Sequence, residues 1–169
     1  MAESLLIKSL CRDMLKQLQF RQISTDRLAE RHGDFIMNIG NTLEEIQKFF
    51  QNDRFATENG AVIEAVEDGM ARCSMMLTPH HLNAAGNVMG GAIFTLADFT
   101  AAVATNWQGT LHVSRTSQIT FLGTAKGGQL IATARRIKEG HRTSYYLVEV
   151  TDELGTQIAH VTSDGFTMP

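Results

Sequence analysis

Cysteine is scarce in this chain: only Cys11 and Cys73 occur in 169 residues, and no metal-type spacing joins them. A disulfide framework and a zinc site therefore have little support, and a reducing, cytoplasmic setting is expected. Charge of one sign is lacking as well. Fifteen Lys and Arg stand against 18 Asp and Glu, a net charge of -3, so no global positive excess argues for nucleic acid or an anionic membrane. No apolar run reaches membrane-spanning length without a polar interruption, and Glu3 precedes the apolar residues of an N-terminus that shows no clear cleavage site. Also absent are internal repeats, low-complexity segments and any Pro/Gly/Ser-rich linker, which argues against a second domain.

What is present reads as alternating helical and strand patterns. Ile7, Leu10, Cys11, Met14, Leu15 and Leu18 recur at helical spacing, which predicts an amphipathic helix over residues 2–20. A short helix is expected from Ser24 to Gly33. Together they make residues 1–40 an N-terminal helical extension, read as a cover for the domain surface or as a docking segment. Residues 41–169 form the main domain. Thr42-Leu43-Glu44-Glu45 has capping-box form, with Leu43, Ile46, Phe49 and Phe50 on one face of the helix that follows. Strands are predicted at Ala61 to Glu67 and Ala71 to Thr78, joined by an Asp68-Gly69 hairpin turn. Four more follow, at His112 to Leu122, Gln129 to Lys138, Thr143 to Asp152 and Thr156 to Thr167. Gly127-Gly128, Gly140 and Gly155 supply turns.

Between the two sets of strands lies Asn83 to Asp98, N-A-A-G-N-V-M-G-G-A-I-F-T-L-A-D. It opens a proline-free apolar run too long for a strand, which predicts a buried helix starting near Gly90. Two strands, a long apolar helix and four strands make an α+β pattern in which one sheet covers the helix. Asp98 is the anomaly, since a carboxylate in such a helix is costly unless paired, hydrogen-bonded or partly wetted. The first helical turn carries free backbone N–H groups that can grip an oxygen turning negative during reaction. Gly90 and Gly91 allow a ligand close to that backbone.

Asn83, Gly90-Gly91 and Asp98 at this spacing resemble the active-site segment of the hotdog-fold acyl-CoA thioesterases, in their PaaI-like, phenylacetic-acid-degradation branch. The resemblance runs from about Thr42 to the C-terminus. It implies an antiparallel sheet wrapped around a long central helix, a homodimer assembling to a homotetramer, and no metal or redox cofactor. It also implies hydrolysis of an acyl or aryl-acyl thioester to free acid and CoA. One position departs from the family: Met89 stands where it usually has histidine, so the hydrogen bonding of that ring is missing.

A helical rise of about 1.5 Å per residue puts Asp98 some 12 Å along the axis from Gly90, too far for one chain to place both groups on one carbonyl. Two such helices side by side in opposite directions bring Asp98 of one chain to Gly90 of the other, as in the resembled family. There the Gly90 N–H polarises the carbonyl, Asp98 acts as general base or as nucleophile, and Asn83 orients water or the carboxylate. The blander readings are a loop Asn83 bonding its own backbone and an Asp98 satisfied by Thr95 or a helix N-terminus. Met89 would wall the acyl pocket.

Lys126, Arg135, Arg136, Lys138 and Arg142 form a local cationic stretch opposed only by Glu139. From it Arg136, Lys138 and Arg142, with His141, are the candidate contacts for the phosphates of coenzyme A, against a plain solvated hairpin. His80 and His81 invite a metal reading, but adjacent residues on a strand point opposite ways and no further ligand is suitably spaced. No nucleophile elbow or P-loop occurs. The alternative functions are a non-catalytic acyl-CoA-binding protein and a regulator. Ser24 to Gly33 faintly resembles half of a helix-turn-helix, but residues 1–40 hold six basic against five acidic side chains and no second basic helix.

Overall fold

The computed structural model describes residues 37–168, and the two helices expected before Gly33 lie outside the described residues. Thr42 opens helix α1 (Leu43–Phe50) with the predicted capping box, its hydroxyl accepting from the Glu45 N–H while the Glu45 carboxylate accepts from the Thr42 N–H. Ile46 and Phe50 are buried, whereas Leu43 at the helix start is largely exposed. Gln47 donates to the Ile63 carbonyl at 2.7 Å, tying α1 to the first strand. A short helix, α2 (Arg54–Glu58), follows.

Strands β1 (Ala61–Glu67) and β2 (Met70–Met76) pair antiparallel across the Asp68-Gly69 turn, where Gly69 takes φ of 69°. Helix α3 (Gly90–Asn106) is the predicted central helix. After it come β3 (His112–Phe121), β4 (Gln129–Glu139), β5 (Thr143–Asp152) and β6 (Gln157–Thr167). The strands form one antiparallel sheet in the order β1-β2-β4-β5-β6-β3. The alternating inward residues of β4, β5 and β6, among them Leu130, Ala132, Val148, Val150, Ala159 and Val161, close over α3.

The helix is apolar nearly all round, yet only part of it is buried. Ile93, Leu96, Ala97, Thr100, Val103 and Ala104 face the core. Phe99 meets Phe50 of α1 edge to face at a centroid distance of 6.1 Å. Gly91, Phe94, Thr95, Asp98, Ala102 and Thr105 recur at helical spacing along a wetter stripe. At the helix end Asn106 accepts the His112 N–H at 2.6 Å, which sets where β3 begins.

Asp98 stands on this stripe, and partial wetting is one of the expected ways to accommodate its charge. Its side chain lies on the wetter stripe and is exposed within the single chain. Partial wetting, and no bond to Thr95 or to a helix N-terminus among the described residues, is how its charge is accommodated.

Candidate active site

Asn83 stands in a small hairpin whose geometry it fixes. Its Oδ1 accepts from the Ala85 N–H at 2.9 Å and the Asn87 N–H at 3.1 Å. Its own N–H donates to the Asn87 carbonyl, and Leu82 bridges Val88. The amide oxygen is thus committed to the loop, which leaves the Nδ2 group to face a ligand.

His81 anchors the base of that hairpin. The ring is buried; Nδ1 accepts from the Thr78 N–H at 3.0 Å, so Nε2 carries the proton and donates to the Asn59 carbonyl at 2.9 Å. Its carbonyl in turn accepts the Met89 N–H at 2.8 Å, where α3 begins. His80 is exposed beside it, and no metal-ligating cluster occurs among the described residues.

The start of α3 lacks the usual polar cap. Met89 occupies the N-cap position, and its thioether gives no side-chain cap bond. Its carbonyl accepts the Ala92 and Ile93 N–H groups, while those of Gly90 and Gly91 have no backbone partner outside the helix among the described residues. A serine or aspartate at position 89 would close part of this turn with its own oxygen, so the apolar Met89 leaves the pair of donors open. Met89 itself is exposed and is absent from the cavity wall at Gly90 within one chain.

Gly90 has a second reason to be glycine. A Cβ there would lie 2.9 Å from Cζ of Phe121, so the ring at the end of β3 can lie against the helix start only because the side chain is missing. Gly91 has more room, with the Met89 methyl 3.7 Å from its virtual Cβ. Phe121 was not singled out in the sequence; an aromatic ending a strand-like run just before Gly123 was the available signal.

Asn83 and Gly90 line one cavity of about 340 Å³, with Asn87, Val88, Ile93, Phe121 and the Gly123–Ala125 segment. Asp152 supports that segment. Its buried carboxylate accepts from Lys126, Gly127, Leu154 and Thr156 N–H groups at 2.8 to 3.1 Å. Burial alone would raise this carboxyl, and the backbone donors of Lys126, Thr156 and Gly127 outweigh it and hold it well below the usual carboxylate range.

Asp98 borders a different cavity, of about 540 Å³, shared with Asp53, Arg54, Phe55, Ala56, Phe94, Thr95, Phe99 and Ala102. Desolvation there raises the carboxyl above its ordinary value. Within one chain, then, the open N–H groups and the carboxylate serve separate spaces, as the rise of the helix requires.

The cationic stretch is less uniform than its sequence suggests. Arg136 grips Asp68 through both terminal nitrogens, at 3.1 and 2.8 Å, and also pairs with Glu139 at 2.7 Å. Its guanidinium thus ties β4 to the β1–β2 turn, unlike the other cations of the stretch. Lys138, His141 and Arg142 are exposed, and the Arg142 guanidinium lies 4.8 Å from the centre of the Phe166 ring.

A sheet wrapped on one helix, with open amides at the helix start and a lone carboxylate two turns on, defines a hotdog-type thioesterase. Comparison with known proteins agrees. The model of the thioesterase superfamily matches residues 85–159. A putative esterase of Archaeoglobus fulgidus is 35% identical over 111 residues, covering 65% of this chain and 72% of that protein. Acyl-coenzyme A thioesterase PaaI of Escherichia coli K12 is 32% identical over 111 residues, 65% of this chain and 79% of its own. The solved structure of the E. coli PaaI protein aligns with a TM-score of 0.69 at 29% identity, over 73% of this chain and 91% of that one. A Streptococcus mutans protein solved with acetyl CoA aligns at 0.61 and 27% identity, over 64% and 89%. The chain belongs to the thioesterase superfamily.

Proposed function

We propose that the protein is an acyl-CoA thioesterase that hydrolyses an acyl or aryl-acyl thioester to the free acid and CoA at a site shared between two subunits. The observation that carries this reading is the separation of its parts: the helix start at Gly90, whose amide has no backbone partner outside the helix among the described residues, lines one cavity, and the carboxylate of Asp98, with no partner among the described residues, borders another. The helix stripe at Gly91, Thr95 and Ala102 is small enough for a second α3 to approach closely. Strand β3 is an edge strand with Val113 and Phe121 exposed, and Leu122 just after it is exposed too, so a two-fold axis beside it would extend the sheet and set two α3 helices antiparallel. The homodimer is the working unit, and pairs of dimers form the homotetramer.

In the shared site the Gly90 and Gly91 N–H groups hold the thioester oxygen, and their charge and that of the helix start offset the negative charge that builds there. Asp98 of the other chain takes a proton from water, whose oxygen bonds to the carbonyl carbon before the C–S bond breaks and the thiolate leaves; or Asp98 attacks that carbon itself, the thiolate leaves as a transient anhydride forms, and water then hydrolyses the anhydride to the free acid and restores the carboxylate. Asn83, with its oxygen committed to the loop, offers Nδ2 as donor to the substrate or the water. Met89 meets the acyl group from the exposed side. The exposed Lys138, His141 and Arg142 meet the phosphates of coenzyme A.

Asp98→Asn tests the chemistry, since the amide keeps the shape but neither accepts water's proton nor attacks. It is expected to remain folded and dimeric and to lose most thiol release from acyl-CoA; a rate within a few-fold of wild type would contradict the assignment. Arg142→Ala tests the CoA contact. It is expected to raise KM for CoA thioesters more than for pantetheine thioesters, which lack the nucleotide phosphates, and equal changes would refute the contact.

A further inference from the structure

Asp53 stands at the N-cap of α2, where an aspartate ordinarily accepts an N–H bond from its own helix. Here the side chain makes no such bond. The backbone carbonyl takes that role, accepting from the Ala56 and Thr57 N–H groups at 3.1 Å. The side chain is free to border the cavity that Asp98 borders. Phe55, Phe94 and Phe99 make much of that wall, and the one cation lining it among the described residues, Arg54, is engaged by Glu58 at 2.6 Å. Two carboxylates from two helices thus share a partly apolar space whose lining, among the described residues, holds no free cation. Partial burial raises the Asp53 carboxyl above its ordinary value, and the charge of Asp98 adds to the rise.

We propose that Asp53 is a positioning residue for the hydrolysis, its negative charge keeping Asp98 a strong proton acceptor and steadying the acid form that Asp98 becomes. The inference rests on the reading of Asp98 as the reacting carboxylate. In that step a water O–H bond breaks, its oxygen bonds to the thioester carbon and its proton passes to Asp98. The C–S bond then breaks and the thiolate leaves with the electron pair. Asp53 forms no bond in this sequence. It acts because a neighbouring anion favours the state in which Asp98 has lost its charge, so the proton transfer runs more easily while Asp53 remains ionised.

The test is the pH dependence of kcat/KM for thiol release from an acyl-CoA, in wild type, Asp53→Asn and Asp53→Glu. Removing the charge is expected to move the acid limb of Asp53→Asn to lower pH by about half a unit or more, the effect of one like charge across a partly wet groove. The maximal rate falls several-fold with the weaker base. Asp53→Glu restores the limb to near its wild-type position. A merely structural Asp53 would lower the rate and leave the limb in place, and an unmoved limb in Asp53→Asn overturns the proposal. Should Asp53→Asn fail to fold, carbon-13 NMR titration of Asp98 in the wild-type protein decides. A two-step curve is expected from the coupled pair, and a single step contradicts it. If Asp98→Asn stays active, the catalytic reading itself has failed; a dead Asp98→Asn beside an unmoved limb sinks Asp53 alone.

Discussion

Among single residues, what matters at the site is which atoms are left free. Asn83 spends its oxygen and keeps its amide donors, and Met89 withholds a cap that a polar side chain would have supplied. The Gly90 position is set by Phe121, so the two should couple. Gly90→Ala is expected to cut kcat/KM sharply by forcing the ring aside, and Phe121→Ala should recover part of the loss in the double variant. Additive losses would show that the ring is not what Gly90 accommodates. Neither this pairing nor the grip of Arg136 on Asp68, 68 residues away, was legible in the sequence, because both depend on which strands become neighbours. Asp53 escaped notice for the same reason: its partner is on another helix and no local pattern marks it.

Among elements, the legible part was large. Both ends of β1 and the N-terminal end of α3 coincide with the expectation, since Asp68-Gly69 and Gly90-Gly91 mark them locally. The outward face of α3 was less plainly marked. An outward stripe of Gly91, Phe94, Thr95 and Ala102 has the composition of a core, so sequence alone cannot tell a helix buried by its own chain from one left for another chain to cover. The hairpin from Leu82 to Val88 depends on His81, whose ring holds the Asn59 carbonyl and the Thr78 N–H. His81→Phe keeps the bulk and orphans both groups. It is expected to lower stability by about 1–3 kcal/mol in denaturant unfolding and to raise KM through a looser helix start. Unchanged values would mean that the hairpin holds itself.

The acid stability of the molecule has a definite sign. The folded Asp152 carboxyl lies below its unfolded value, so its contribution is present above the unfolded pKa of about 3.9 and is lost as pH falls towards the folded one. Asp152→Asn is expected to melt lower than wild type at neutral pH, and the gap should narrow as pH falls below about 4. A gap constant with pH would contradict the role given to its charge. The same substitution loosens the Gly123–Ala125 wall of the Gly90 cavity, linking a buried acceptor to substrate binding.

In the whole molecule each proposed site draws on two chains, and mixing two dead subunits decides whether it does. One variant is Asp98→Asn; the other is Gly90→Leu, whose side chain blocks approach to the helix amides. Each is first shown to be folded and inactive. After exchange, a mixed dimer holds one doubly damaged site and one site with Gly90 from the first variant and Asp98 from the second. Random exchange makes about half the dimers mixed, so roughly a quarter of wild-type activity per subunit should return if the sites act independently. Activity that stays at background while native mass spectrometry shows mixed dimers would contradict the shared site and confine Asp98 to its own chain.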